Sequence, residues 1–305
     1  MVYSLYNEDC FKWMERREPN SIHAIVTDPP YGLVEYSDRE LKKLRQRYGG
    51  IWRIPPKIGG TERSPLPRFT VLTTTQIETI REFFNEWGSL ANKILVPGGH
   101  IFIASNPFLV TEVIEGLKKA GFEHRDIIVR LVRTLKGGNK PKLYEKTYPD
   151  VNVQPRSCWE PWVLLRKPPE GKNGENLAKW NTGGLRRDPN ETPFLNVILS
   201  ETAPKKERVI APHPTLKPQR FMRRITWASL PLGKGIILDP FCGSGSTIAA
   251  AENLGLESIG IESDQQYYEM ARLAIPLLSQ LDVDIWSLKL NKITASSALN
   301  SLGEK

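Results

Sequence analysis

The chain has 305 residues, of which 40% are hydrophobic and 25% charged, and its mean hydropathy of −0.37 is typical of a globular protein. No apolar run approaches the roughly 18 residues of a membrane-spanning helix, and the three cysteines form no C-x-x-C pair, so we expect neither a membrane protein nor a disulfide framework or metal site. A formal net charge of +8 indicates attraction to a polyanion.

The amino-terminal half alternates predicted strands and helices. Its first residues contain neither a basic region nor an apolar stretch of the kind that directs export, so we expect a cytoplasmic protein. An apolar run over residues 22–26 predicts a strand that the prolines after Asp28 must end. Many glycines, prolines and cations in residues 33–72 predict a long basic insertion at the surface. Beyond it we predict a helix over residues 75–95 ended by Pro97-Gly98-Gly99, a strand over 101–104, a helix over 110–120 and a strand over 127–132.

The carboxyl-terminal half begins with a predicted strand over residues 162–165. Residues 171–210 have little periodicity and many cations, which makes them a candidate recognition segment. Regular structure then returns, with a helix over 218–229, a strand over 235–238, a helix over 246–254, a strand over 258–261 and a helix over 265–278. This alternation predicts an α/β fold, namely a doubly wound, mostly parallel sheet with helices on both faces.

A glycine-rich turn joins a predicted strand to a predicted helix and has the sequence Asp239-Pro240-Phe241-Cys242-Gly243-Ser244-Gly245-Ser246-Thr247. Its glycines would let the backbone approach a ligand, although such a turn can also be a plain connection. Glu262 favours a ligand, because an acid at the end of the next strand can accept both ribose hydroxyls of a nucleoside. The turn is neither G-x-G-x-x-G nor a Walker loop, and Asp239 would repel phosphate. We therefore expect a ligand with a positive end, such as S-adenosylmethionine.

The segment Asp28-Pro29-Pro30-Tyr31 follows the first predicted strand and combines an acceptor, a rigid turn and a flat ring. These parts suit an extruded base, whose amino group can donate to the carboxylate and whose face can stack on the ring. A β-turn without a ligand accounts for the same residues equally well.

The D-P-P-Y segment and the downstream D-P-F-C-G-S-G-S-T turn together resemble the two signature motifs of the amino-methyltransferases of DNA. With the catalytic motif first and the cofactor loop last, the chain is similar to the β class of that family, a circular rearrangement of the common fold. Leu95-Val96-Pro97-Gly98-Gly99 matches the family's L-x-P-G-G helix end, which is scaffold. The likeness covers nearly the whole chain and implies methylation of the N6 amino group of adenine in double-stranded DNA.

The resemblance also implies the site residues, with Asp28, Pro29, Pro30 and Tyr31 as the catalytic set. The segment from His213 to Pro218 is similar to the family's H-P-T-x-K-P element, whose hydroxyl and ammonium groups meet the methionine carboxylate of the cofactor. Asn7-Glu8-Asp9-Cys10 resembles a G-D-C-type element at the cofactor's adenine ring, although Asn7 and Glu8 depart from its glycine-containing form. The cofactor-binding residues expected are Asp9, Cys10, Asp28, His213, Thr215, Lys217, Asp239, Phe241, Cys242, Gly243, Ser244, Gly245, Thr247 and Glu262.

In the implied reaction the base is flipped out and its amino nitrogen attacks directly. That nitrogen is a poor nucleophile, and hydrogen bonds to the Asp28 carboxylate and the Pro29 carbonyl would favour a pyramidal, more reactive form. No covalent intermediate is required. Because Cys242 lies in the cofactor loop, the thiol attack of the carbon-5 cytosine methyltransferases is disfavoured.

The implied methyltransferase domain consists of residues 1–32, 73–170 and 211–305. Residues 33–72 are its basic insertion and 171–210 its candidate target-recognition segment. We expect DNA to contact the insertion and the segment from Arg130 to Arg208. Binding to DNA would place the protein at the nucleoid. A cognate restriction endonuclease is a further candidate partner.

Alternatives stay open for both the acceptor and the function. The acceptor can also be the N4 amino group of cytosine or an RNA base, although D-P-P-Y favours adenine where S-P-P-Y favours cytosine. A non-catalytic nucleic-acid-binding module with the same fold is the other candidate. The joint presence of Asp28, Tyr31, Asp239 and Glu262 argues against it, because a binding module needs no such set.

Overall fold

The computed structural model describes residues 2–30, 73–132, 138, 140–213 and 215–286, together with the backbone of residues 57–58 and 61–62. Tyr31 lies outside the described residues. So does the predicted basic insertion over residues 33–72, apart from those four backbone positions.

Eight strands form one sheet, and two very short strands pair separately. In chain order the strands are β1 (Tyr3–Asn7), β2 (Ile22–Thr27), β3 (Lys57–Ile58), β4 (Thr61–Glu62), β5 (Leu95–Ala104), β6 (Glu123–Leu131), β7 (Trp159–Arg166), β8 (Val197–Leu199), β9 (Ile236–Asp239) and β10 (Glu257–Glu262). The sheet order is β1-β10-β9-β2-β5-β7-β6-β8, and of these strands β7 alone runs antiparallel to its neighbours. The predicted mostly parallel sheet is confirmed.

Helices cover both faces of this sheet, as predicted. They are α1 (Cys10–Arg16), α2 (Thr74–Ile94), α3 (Val110–Lys119), α4 (Asn173–Trp180), α5 (Lys205–Ile210), α6 (Gln219–Ser229), α7 (Ser246–Asn253) and α8 (Gln265–Ser279). Neighbouring residues of the central strands alternate between two cores. Ile101 and Ile103 of β5 pack with α1, α2 and α3, while Phe102 and Ala104 pack with α6 and α7.

Several sequence predictions need correction. Pro97-Gly98-Gly99 does not lie between helix and strand, because α2 ends at Ile94 and these residues belong to the first half of β5. They bulge out of the pairing with β2, where Ile22 pairs with Leu95 but Ala24 pairs with His100. Residues 171–210, whose sequence shows little periodicity, nevertheless contain α4, β8 and α5. The sequence pattern did not predict β1 and α1 at all.

The first part of the candidate recognition segment lies at the end of the sheet where the parallel strands begin, which we call the amino edge. Asn176 of α4 donates from Nδ2 to the Pro97 carbonyl (3.1 Å), and Thr182 donates from Oγ1 to the same oxygen (2.6 Å). Pro97 lies near the start of β5. The later residues return to the opposite edge, because β8 runs parallel to β6 and ends beside Leu131.

None of the described helices is long and apolar enough to cross a membrane.

Candidate active site

The parallel strands end at the opposite edge of the sheet, which we call the carboxyl edge. There β2 leads to Asp28, β9 leads through Asp239 into the glycine-rich turn, β10 ends at Glu262, and β1 is followed by Asp9. The sheet order places these four loops in one row. The structure therefore brings the predicted catalytic loop and the predicted cofactor loops together, at the edge where doubly wound sheets bind ligands.

Glu262 ties the glycine-rich turn to β10. Its Oε2 accepts a hydrogen bond from the Gly243 N–H (2.8 Å), and its Oε1 accepts one from the Asp264 N–H (2.9 Å). A carboxylate oxygen can accept more than one hydrogen bond, so each oxygen can accept a further donor. Burial raises the pKa of this half-buried carboxyl group. The acceptor capacity that remains fits the two hydroxyls of a ribose ring.

The glycines of the turn are required by its backbone. Gly243 and Gly245 have φ of +51° and +84°, a region that side chains other than glycine rarely adopt. A Cβ atom at Gly245 would also lie 2.5 Å from Cγ1 of Ile275. The turn therefore packs tightly against α8 and leads directly into the amino terminus of α7.

The segment from His213 to Lys217 spans from the glycine-rich turn to the Asp28 loop. A Cβ atom at Gly243 would lie 3.4 Å from Nε2 of His213, whose Nδ1 is 3.2 Å from Oγ1 of Thr215. Burial lowers the pKa of His213, so its ring is neutral at physiological pH. His213 and Thr215 thus lie at the predicted cofactor loop, whereas Lys217 reaches the catalytic loop.

Lys217 forms an ion pair with Oδ2 of Asp28, and its ammonium nitrogen is also 3.4 Å from Oε1 of Glu160. The other carboxylate oxygen of Asp28, Oδ1, is buried and has no hydrogen-bond partner among the residues described. The family resemblance assigns Lys217 to the carboxylate of the cofactor. The structure places it at Asp28, and its contact with a cofactor stays a prediction.

Asp239 is buried and serves as a junction between β2, β9 and the turn. Its Oδ1 accepts hydrogen bonds from Thr27 Oγ1 (2.7 Å) and the Phe241 N–H (3.2 Å), and its carboxyl group also bonds the side chain of Thr247. Burial raises its pKa from 3.8 to about 7. From the sequence we predicted that the negative charge of Asp239 faces the ligand. In the structure its carboxyl group fixes the turn internally, and a direct contact with a ligand stays a prediction.

The Asp9 element lies beside Glu262 because β1 pairs with β10. The Glu8 N–H donates to the Glu262 carbonyl (3.1 Å), and the Asp9 carboxylate caps α1 by accepting from the Lys12 N–H (3.1 Å). The Cys10 thiol is buried, which raises its pKa to about 12.

Burial also raises the pKa of the Cys242 thiol well above its ordinary value. Neither this thiol nor that of Cys10 is a ready thiolate, and the thiolate is the nucleophilic form of cysteine. This agrees with the expectation that catalysis uses no thiol attack.

The remaining predicted residues have structural surroundings of their own. The Phe241 ring packs against Phe83 and Trp87, with centroids 6.5 Å and 6.1 Å apart. Ser244 is buried within the turn, and Pro29 is buried in the catalytic loop while Pro30 is exposed. These positions build the two loops.

Three polar residues at the carboxyl edge were not predicted from the sequence. Thr27 bonds Asp239, Glu160 contacts Lys217, and Asn106, after β5, has a buried Nδ2 without a partner in the described part of the chain. Thr27 and Asn106 follow from the strand-end rule that identified Asp28, since each lies at or just beyond the end of a parallel strand. Glu160 has no such signal, because it lies near the start of the antiparallel strand β7.

The chain matches the family model described as DNA methylase over residues 22–273. It is similar to the Type II methyltransferase M2.DpnII of Streptococcus pneumoniae, with 26% identity over 272 residues that cover 88% of this chain and 87% of the relative. It is also similar to the Type II methyltransferase M.HindIII of Haemophilus influenzae, with 24% identity over 299 residues that cover 89% and 94% of the two chains.

Two solved structures show the same fold. The M1.HpyAVI–SAM complex has a TM-score of 0.53 and 20% identity, with 88% of this chain and 98% of that chain covered. The cytosine-N4-specific PvuII DNA methyltransferase has a TM-score of 0.58 and 14% identity, with 100% and 94% covered.

Proposed function

Because the chain belongs to the DNA methylase family and is a DNA amino-methyltransferase, we propose that it methylates the exocyclic N6 amino group of adenine in double-stranded DNA. The methyl donor is S-adenosylmethionine, whose sulfonium supplies the methyl group. Relatives named as Type II methyltransferases support a site-specific activity, and a cognate restriction endonuclease is the partner that this would imply. The substrate would place the protein at the nucleoid in the cytoplasm.

One observation supports this proposal above the others. Asp28 Oδ1 is a buried acceptor without a partner in the described structure, while Oδ2 of the same carboxylate is held by Lys217. A buried carboxylate oxygen without a donor is costly. An exocyclic amino group that donates to this oxygen would remove the cost, and adenine N6 and cytosine N4 both carry such protons.

The carboxyl edge fits the cofactor as well as the base. Glu262 retains acceptor capacity for a ribose, and the turn from Asp239 to Thr247 gives close backbone approach. The Asp28 loop is tied to this turn, because Thr27 bonds Asp239. The two substrates would thus meet between neighbouring loops, and close, oriented approach is the main requirement for direct methyl transfer.

In the proposed mechanism the chain's residues position the nucleophile. Asp28 Oδ1 and the Pro29 carbonyl each accept a hydrogen bond from the amino group, which favours the pyramidal nitrogen needed for attack. Tyr31 stacks on the flipped base, an interaction worth about 1–3 kcal/mol at other stacking platforms. The buried thiols of Cys10 and Cys242 take no part.

Cytosine N4 is the second candidate acceptor, because its exocyclic amino group can donate to Asp28 in the same way. The D-P-P-Y sequence favours adenine over this alternative.

The test is to express the protein in a host free of DNA methylation and to identify the modified nucleosides in a complete digest of the host DNA. We expect N6-methyladenine. N4-methylcytosine would instead establish the second candidate, and the absence of any methylated nucleoside would contradict both. RNA from the same cells, digested in parallel, tests the nucleic-acid substrate.

A further inference from the structure

A row of four alternating charges runs inward from the catalytic loop. It starts at Asp28, continues through Lys217 and Glu160, and ends at Arg130 on β6. Glu160 Oε1 is 3.4 Å from the Lys217 ammonium, and Glu160 Oε2 is 2.8 Å from Arg130 Nη1. The side chains of Asp28, Lys217, Glu160 and Arg130 are 20%, 7%, 17% and 6% exposed, so the two cations are buried and the two carboxylates are mostly buried.

Glu160 is held in place more firmly than a paired surface carboxylate. Its Oε2 also accepts from Trp162 Nε1 (3.2 Å). Arg130 in turn donates to Ser200 Oγ (3.0 Å) and to the Glu201 carbonyl (2.8 Å). These hydrogen bonds anchor Glu160 to β7 and to the segment after β8, so the carboxylate is a fixed negative point facing Lys217.

Lys217 contacts two carboxylates. A buried ammonium is costly unless it is paired, and both of the carboxylates that it contacts, Asp28 and Glu160, lie at the carboxyl edge. If the Glu160 charge were removed, Lys217 would keep Asp28 but lose the second of these two carboxylates. The ammonium could then shift toward Asp28 and compete for Oδ1, the oxygen that is now without a donor.

We propose that Glu160, braced by Arg130, is a positioning residue for methyl transfer. It holds Lys217 on Oδ2 of Asp28, so that Oδ1 stays available to the amino group of the target base. This inference rests on the proposed function of Asp28 as the acceptor.

The chain offers a matched control at the other end of the same pair of strands. Residues 130 and 160 are partners across β6 and β7, and so are residues 123 and 166. Arg166 and Glu123 also form an ion pair, at 2.7 Å, but at the amino edge. Arg166 bonds Asn173 and Gly183 there, both in the segment that begins with α4. Glu123 therefore forms the same kind of ion pair as Glu160, but at the opposite edge of the sheet.

The experiment measures single-turnover methyl transfer by the full chain at saturating S-adenosylmethionine and DNA, for wild type, Glu160→Gln and Glu123→Gln. We expect Glu160→Gln to lower the rate by about 10- to 100-fold, the scale of a misplaced reacting group, with nearly unchanged affinities for cofactor and DNA. Glu123→Gln should keep the wild-type rate even where the thermal midpoint falls. In a Lys217→Met background, Glu160→Gln should cause no further decrease, because it acts through Lys217.

The inference would be overturned, with the proposed function intact, if Glu160→Gln kept the wild-type rate. It would also be overturned if Glu160→Gln lowered the rate in the Lys217→Met background as much as it does in the wild-type background. Absence of methyl transfer by the wild-type protein would overturn both. If Glu160→Gln does not fold, Glu160→Asp is used in its place. Aspartate keeps the negative charge, but its side chain is one methylene group shorter. A reduced rate is then expected, and an unchanged rate would contradict the positioning role.

Discussion

The two ends of the sheet use similar ion pairs for different purposes. At the amino edge, Arg166 pairs with Glu123, and Lys167 Nζ donates to the carbonyls of Asn92 and Leu95 at 2.7 Å each. At the carboxyl edge, the Asp28 carboxylate has one oxygen held by Lys217 and one oxygen without a donor in the described structure.

An unpaired carboxylate oxygen distinguishes the carboxyl edge, because Asp28 Oδ1 is the one carboxylate atom among the buried side-chain atoms without a partner in the described residues. His100, near the middle of β5 and paired with Arg166, also has a buried nitrogen without a described partner, but burial and the nearby Arg166 lower its pKa to about 3, which keeps the ring neutral. An unpaired oxygen of an ion-paired carboxylate is costlier than an unpaired neutral nitrogen. Such incomplete satisfaction is expected where a ligand completes the set. The difference supports the proposal that the carboxyl edge serves methyl transfer and the amino edge serves stability.

The largest difference between the edges should appear when one carboxylate is removed from each. Asp28→Ala should lower the methyl-transfer rate by at least ~10²-fold, the scale of removing one preorganised polar group at a reacting centre. Glu123→Ala, at the amino edge, should lower the thermal midpoint and leave the rate near that of wild type. Single-turnover assays paired with thermal unfolding measure both. A methyl-transfer rate in Asp28→Ala close to that of wild type would contradict the functional role of the carboxyl edge.

A smaller difference is expected along β10, which has a glutamate at each end. Glu262→Ala should weaken S-adenosylmethionine binding by about tenfold or more, because two charge-assisted hydrogen bonds are removed. Exposed Glu257, at the start of the same strand, is the control, and Glu257→Ala should leave the affinity unchanged. Isothermal titration calorimetry gives both values. Equal affinities in the two variants would contradict the prediction that Glu262 binds the ribose hydroxyls of the cofactor.

The smallest effect concerns the basic insertion, which follows Tyr31 in sequence and, apart from four backbone positions, lies outside the described residues. Neutralising Lys42, Lys43, Arg45 and Arg47 should lower DNA affinity and flatten the slope of log K against log salt concentration, by about 0.9 for each DNA phosphate that the protein no longer neutralises. Affinity for S-adenosylmethionine should not change. An unaltered salt slope would show that these residues are a solvated surface.

The sequence was sufficient to predict some of the polar residues that follow parallel strands, although not Thr27 or Asn106. Apolar runs placed β2, β9 and β10 to within a residue or two, and the carboxyl ends of parallel strands necessarily meet at one edge. Asp28 and Glu262 were predicted for that reason together with the family motifs, and the structure places both at that edge.

The remaining features depend on tertiary structure. Glu160 reaches the carboxyl edge because β7 is antiparallel, and the apolar pattern of a strand does not reveal its direction. The contacts of Lys217 with Asp28 and Glu160 likewise join residues far apart in sequence. β1 was not predicted because its edge position leaves residues exposed and weakens the apolar pattern. The burial that raises the pKa of Asp239 is likewise set by packing and not by neighbours in sequence.

Hydrogen–deuterium exchange of the full chain, with and without S-adenosylmethionine, tests the division between the two edges most directly. The division predicts that the cofactor protects backbone amides of residues 8–10, 241–247 and 262–264 at the carboxyl edge. Residues 173–183 and 233–236 at the amino edge should exchange at the same rate in both conditions. Protection confined to the amino edge, or unchanged exchange in the glycine-rich turn at a saturating cofactor concentration, would contradict it.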